Sequence, residues 1–209
     1  MGITAKADSN FVSAPIGMHL ARCYRVIDLG TQKTSYKGTE KFLHKIMIQF
    51  EIWSEDEDGK PTLTDKGEPM SISKNYTLSL SDKAALRRDL KTWRGREFTS
   101  EELKGFELKN ILGAWAMLSI VKSAGDDGKE YTNIEAVMSV PKAVKDAGFP
   151  KPHNELKMYS IDEHDDQLFE TFSDRLKEKI MASPEFQGRQ PSSSNRASPS
   201  AEDDSDIPF

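Results

Sequence analysis

Between residues 42 and 53 the sequence FLHKIMIQFEIW alternates, with Phe42, Ile46, Ile48, Phe50 and Ile52 on one parity and Lys45, Gln49 and Glu51 on the other. A period of two puts the first set on one face of an extended strand and the second on the opposite face. A chain containing such a strand has to cover one side with a core and leave the other wet, which calls for a sheet with neighbours on both edges.

The flanking sequence supplies those neighbours. Residues 17 to 28 (GMHLARCYRVID) predict an earlier strand, followed by a polar, basic loop over 30 to 41 (GTQKTSYKGTEK). After the turn-forming SEDEDGKP and TDKGEP comes a third strand at 70 to 80, MSISKNYTLSL. Ser81 has the chemistry of an N-cap for a helix running to Trp93, with Leu86 and Leu90 one turn apart and Gly95 as the stop. Thr99 or Ser100 can cap a second short turn through Glu101 and Glu102. NILGAWAMLSIVKS is apolar enough for a strand buried on both faces, and YTNIEAVMSVP alternates again after the turn AGDDGKE, so the two predict a β-hairpin.

Three strands, a helix and a two-strand hairpin is the order of an OB-fold. The expected fold class is mainly β, a five-stranded OB-like β-barrel with a helix between strands three and four and a disordered acidic C-terminal tail. An SH3-like barrel or a small split sheet fits the same order. The expected domains are the barrel at 1 to 150, an irregular extension with a short helix at 151 to 182, and a disordered linker with an acidic tip at 183 to 209. The helix, at about 165 to 182, follows from Leu168, Phe172, Leu176 and Ile180 recurring every four residues, and the disorder from the Ser/Pro/Gln-rich run after it.

Several classes are disfavoured. No stretch approaches the roughly 18 to 20 apolar residues of a membrane span, and the opening MGITAKADSNF lacks the apolar core of a signal peptide. One cysteine, Cys23, and four scattered histidines offer neither an internal disulfide nor zinc-ligand spacing, so a cytoplasmic setting is expected, with no cofactor or metal. GxxxxGK[ST], GxSxG and HExxH are all absent, and SEDED has the character of a solvated turn, so no enzyme is expected. The net charge of -5 belongs to the C-terminal part: residues 1 to 150 carry 22 Lys and Arg against 21 Asp and Glu, and residues 151 to 209 carry 7 against 13. The body is balanced enough to hold a basic face.

The sequence closes on DDSDIPF. Three aspartates, an Ile-Pro that keeps the backbone extended, and a Phe whose ring and carboxylate can enter one basic-rimmed pocket suit capture by a partner protein. This ending resembles the acidic tip of bacterial single-stranded DNA-binding proteins, a run of Asp followed by Ile-Pro-Phe. Asp203, Asp204, Asp206, Ile207, Pro208 and Phe209 match that pattern residue by residue, with Ser205 where an Asp is expected. In the body, KFLHKIMIQFEI, YTLSLSDKAALRRDLKTWRGREFTSEEL and LKNILGAWAMLSIV with YTNIEAV are similar to a group of phage-encoded OB-fold replication or recombination proteins, over about residues 17 to 141. Ala114 follows Gly113 where that group usually has a basic residue. The resemblance implies sequence-independent binding of single-stranded DNA in phage or prophage replication or recombination in a bacterial host cell, with the tip recruiting replication or recombination enzymes.

Such binding needs cations along a groove and rings for bases, stacking being worth roughly 1 to 3 kcal/mol per base. In the first loop Lys33, Lys37 and Lys41 surround Tyr36. Trp53 shares the polar parity of its strand with Lys45, while Lys74 and Tyr76 share the apolar parity of theirs, and a strand bulge or a curved groove face would expose them to the DNA. Lys122, Lys129 and Tyr131 flank the last turn. Trp93 and Trp115 have the surroundings of core residues, and Arg94 and Arg96 of helix-end complements. Because one barrel seldom holds a long strand alone, a homo-oligomer or cooperative array is expected. Two other readings use the same tip: a protein-interaction adaptor, and a recombination mediator that anneals strands.

Overall fold

In the computed structural model of the chain, residues 14 to 36, 38 to 55, 60 to 125 and 128 to 189 are described. Lys37 and the tip residues Asp203 to Phe209 therefore lie outside the described residues, as does the side chain of Tyr36.

The alternating segment is a strand, β2 (Thr39–Trp53), and its apolar parity is buried from Ile46 onward: Ile46, Ile48, Phe50 and Ile52 are all at most 2% exposed, whereas Phe42, expected on the same core face, is 65% exposed where the strand runs beyond the core. It lies between β1 (Gly17–Tyr36) and β3 (Met70–Thr77), antiparallel to both. β1 is far longer than expected. Its polar second half, predicted as a loop, pairs with β2 through Lys33↔Phe42 and Ser35↔Glu40 to a tight turn at Gly38, whose φ of 76° suits glycine. Backbone pairing holds this arm, so hydropathy carries no sign of it.

Two bulges, between Cys23 and Arg25 and between Asp28 and Gly30, bend β1 and shift its parity. Cys23 and Val26 consequently face one core, while Ile27 and Leu29 face another on the opposite side.

Past β3 comes α1 (Ala85–Arg94), which buries Leu86, Leu90 and Trp93 and ends at Gly95. It starts after Ala84 and not at Ser81, whose carbonyl instead accepts a turn bond from the Ala84 N–H. The short α2 (Ser100–Lys104) carries the expected capping box between Thr99 and Glu102. A 3-10 turn at Leu108–Ile111 leads into β4 (Trp115–Ala124), which pairs with β5 (Glu130–Met138). β4 is buried on one face only: Ala116, Leu118 and Ile120 are core, whereas Trp115, Met117 and Ser119 are half-buried.

The strand order is β3-β2-β1-β4-β5, and the sheet is open. No ladder joins β3 to β5, so the expected closed barrel is not formed. α1 packs against both end strands: Thr92 Oγ1 donates to the Val137 carbonyl at 2.7 Å, and Tyr76 Oη to Asp89 at 2.9 Å. One side chain crosses the gap directly, Lys74 Nζ donating to the Glu135 carbonyl at 3.0 Å. The fold is mainly β, as predicted.

A sixth strand was not predicted. After α3 (Lys142–Ala147), β6 (Lys157–Tyr159) pairs parallel to Arg25–Ile27, the stretch of β1 just beyond Arg22 where β4 leaves. The helix expected over 165 to 182 is two, α4 (Asp166–Glu170) and α5 (Asp174–Met181), because Ser173 restarts the chain at an N-cap position. The run expected to be disordered from 183 onward is still folded at its start. Ser183 is wholly buried and accepts from Phe186 N–H to cap α6 (Pro184–Gln187). These helices and β6 enclose the second core, with Tyr159, Ile161, Leu168, Phe169, Phe172 and Ile180 packed on Ile27 and Leu29. Among the described residues no helix is long and apolar enough to cross a membrane.

Candidate nucleic-acid interface

The polar parity of β2 forms an outward row, Lys45, Met47, Gln49, Glu51 and Trp53, beside Ser71, Ser73 and Asn75 of β3. Register fixes its surroundings. The β1/β2 arm projects beyond the Lys45 end, whereas β4 runs antiparallel to β1 from Trp115 opposite Arg22, so the β4/β5 hairpin tip lies beyond the Trp53 end. The two arms thus bracket one face.

At the Trp53 end three rings form a ladder. Trp53 lies 4.8 Å from Trp115, ring centre to ring centre, and Trp115 stacks on Phe149 at 4.6 Å with planes 5° apart. Trp53 and Trp115 are half-buried and Phe149 is 41% exposed, so the ladder offers an outer ring to solvent. Trp115, expected in the core, stands on this outer face. Trp93 is the buried one, its Nε1 donating to the Trp115 carbonyl at 2.8 Å.

The middle of the face is closed. Arg22 and Glu51 form an ion pair there, and residues around Asn154 lie over it.

At the other end Lys45 Nζ donates to Thr77 Oγ1 at 2.7 Å, and α5 rises alongside with Arg175 and Lys179. Burial, together with the positive charges of Arg175 and Lys45, holds the Lys179 ammonium below the usual lysine range. Sequence reasoning missed Arg175 and Lys179. The available signal was their i, i+4 spacing on the polar side of the Leu176/Ile180 stripe.

On the arms two of the exposed cations are neutralised. Lys33 pairs with Glu40 at 2.6 Å and Lys122 with Glu130 at 2.9 Å. Lys41, Lys129 and Tyr131 are also exposed, Tyr131 by 47%.

Lys74 and Tyr76 do not belong to this face. Their shared parity with Met70 and Ile72 turns them inward, where Lys74 Nζ is 2.6 Å from Asp89 Oδ2 and Tyr76 is 3% exposed. Burial and the Asp89 charge push the Tyr76 hydroxyl pKa up, so it stays a neutral donor. No bulge exposes them: the Tyr76 ring is buried, and the half-buried Lys74 ammonium is held by Asp89 and the Glu135 carbonyl.

Arg94 and Arg96 both bind the Glu102 carboxylate, and Arg94 lies over the rings of Phe98 and Phe106 at 4.5 and 5.0 Å. Their use is structural, as expected, but it runs through Glu102 of α2 in place of the end of α1. No protein-family model matches the chain, and no curated protein matches it either.

Proposed function

We propose that this chain binds single-stranded DNA without sequence preference, in phage or prophage replication or recombination, and recruits partner enzymes through its DDSDIPF motif. The observation that carries the reading is the bracketed face, an outward row with a cation at one end and a ring ladder at the other, flanked by two hairpin arms. The strand order supports it: β3-β2-β1-β4-β5 in an open sheet, with a helix between β3 and β4, is compatible with an OB-like reading, and OB-folds bind oligonucleotides across such a face between their loops. Stacking on rings and contacts to phosphate are sequence-tolerant, which fits general coverage of a strand. The motif's match to bacterial tips supports the recruiting role.

A gel-shift titration with oligo-dT tests both halves. The full chain is expected to shift the oligonucleotide at low salt, and a chain lacking the last seven residues to shift it too while losing capture of host replication enzymes. Absence of any shift at low salt overturns the DNA reading.

One observation favours the adaptor reading. Lys33 and Lys122, one cation on each arm, already hold carboxylates. On that reading tip-dependent capture survives in a protein with no affinity for oligo-dT.

A further inference from the structure

The groove between α5 and the outward face of β2 and β3 has a volume of about 410 Å³ and is lined by Gln49, Ser73 and Asn75 from the sheet and Arg175 and Lys179 from the helix, with Met47 as floor. Its charge is one-sided. Arg175 is exposed, Lys179 half-buried and Lys45 close enough to Lys179 to perturb it, and among the described residues none of the three has a carboxylate within ion-pair distance. This contrasts with the arms, where Lys33 and Lys122 are paired. Cations gathered without counter-ions are the electrostatic signature of an anion's place.

The wall is fixed to the sheet. Gln32 Nε2 donates to the Lys179 carbonyl at 2.9 Å and to the Leu29 carbonyl at 2.7 Å, Ile180 is fully buried in the second core, and Glu185 of α6 accepts from Thr31 N–H at 2.8 Å. Arg175 and Lys179 are thus held above the sheet by contacts on the other side of their helix.

We propose that the sugar-phosphate backbone of the single strand runs through this groove, with Lys45, Arg175 and Lys179 binding phosphates and α5, a helix outside the five-strand order, forming one wall. The proposal rests on the single-strand reading and adds to it the path of the strand and two phosphate-binding residues. An extended strand fits better than an acidic peptide. Ser71, Ser73 and Asn75 line β3 on one face at intervals of about 6.7 Å, two residues of strand rise, and hydroxyl and amide groups of this kind position nucleic-acid backbones. Ser71, opposite Glu51, is exposed, so the β3 edge of the face leads past the covered Arg22–Glu51 pair toward Trp53, Trp115 and Phe149, which serve bases and would be idle against carboxylates.

Fluorescence anisotropy with labelled dT20 over a salt series tests this, using the full chain, Arg175→Glu and the double variant Arg175→Glu/Lys179→Glu. Arg175 is exposed, so the single variant folds even if the half-buried Lys179 tolerates reversal poorly. The expected result is at least a tenfold loss of affinity for the double variant, a smaller loss for the single one, and for the double variant a salt slope shallower by about 1.4, or 0.7 per lost phosphate contact. If the full chain binds dT20 and Arg175→Glu leaves affinity and slope unchanged, the path is wrong while the DNA reading stands. If the full chain fails to bind, both fall. If dT20 binding is unchanged but binding of a poly-glutamate peptide is lost, the groove is a site for acidic peptides and the proposal is overturned.

Discussion

Nε of Arg22 lies 2.7 Å from Oε1 of Glu51, with the two side chains 9% and 0% exposed, so an ion pair between β1 and β2 is buried on what would otherwise be the wet face of the sheet. Asn154 closes it from above. Its N–H and Nδ2 donate to Glu51 Oε2 at 2.8 and 2.7 Å, and its carbonyl accepts from Arg22. The pair anchors the chain that leaves the ring ladder at Phe149 and divides the face into a ladder end and a groove end.

Removing one partner leaves a buried charge alone, which typically costs about 3 to 5 kcal/mol. Glu51→Ala is therefore expected to lower unfolding free energy by about that much in urea titration, and Arg22→Met/Glu51→Leu to recover most of it. A loss below about 1 kcal/mol for Glu51→Ala would contradict the anchoring role.

Asp89 holds β3 to α1 by accepting from Lys74 and Tyr76 at 2.6 and 2.9 Å. Tyr76→Phe removes a hydrogen bond to a charged acceptor and is expected to cost about 1.5 to 3 kcal/mol. Lys74→Met is expected to lower the melting temperature while leaving the salt slope of oligo-dT binding unchanged. A shallower slope would return Lys74 to the DNA surface.

Glu102 accepts from Arg96 at 2.7 and 2.9 Å and from the Thr99 N–H at 2.9 Å, and these bonds, with Arg94 beside it, hold its carboxyl down at about 2. Because the folded value lies below the unfolded one of about 4.3, the ionised form favours folding. The contribution is complete above the unfolded value and fades as pH falls from there through about 2. Melting curves at pH 5 and pH 2.5 are expected to differ less in Glu102→Gln than in the parent. Equal differences would remove Glu102 from the acid response.

Gly30 has a φ of 66°, and a Cβ on it would stand 2.5 Å from Ser183 Cβ and 2.8 Å from Ile161 Cδ1. Gly30→Ala combines left-handed backbone strain of about 1 to 3 kcal/mol with a collision at the α6 cap. Hydrogen exchange is expected to show faster exchange of amides in α5 and α6 with β2 and β4 protected as before. Uniform protection would mean that the second core absorbs the methyl group.

The sequence revealed what a one-sided periodicity can reveal. Ile46, Ile48, Phe50 and Ile52 alternate because one face of β2 is core, and that placed both the strand and its wet row. The β1/β2 arm was hidden because residues such as Thr34 and Glu40 are held by cross-strand backbone pairing without a core. Leu168, Phe172 and Ile180 were legible as apolar positions, and all are buried, but their four-residue spacing concealed the break at Ser173. Lys74 and Tyr76 carried the right parity for the interior, and their polarity pointed outward. The partner that decides between the two, Asp89, lies on another element. Arg175 and Lys179 became a feature only when the second core laid α5 against β2 and β3, an arrangement that depends on bulges in β1 that no local pattern announces.

The most direct test of the account is tryptophan fluorescence of the full chain titrated with dT20 at low and at physiological salt, beside a 20-base-pair duplex. Trp53 and Trp115 stand on the proposed binding face and Trp93 is buried in the core. The account predicts saturable quenching by dT20 that weakens steeply with salt, with far weaker response to duplex and loss of most quenching in Trp53→Phe. Fluorescence unchanged by dT20 at low salt, in a protein whose anisotropy assay also shows no binding, would contradict it.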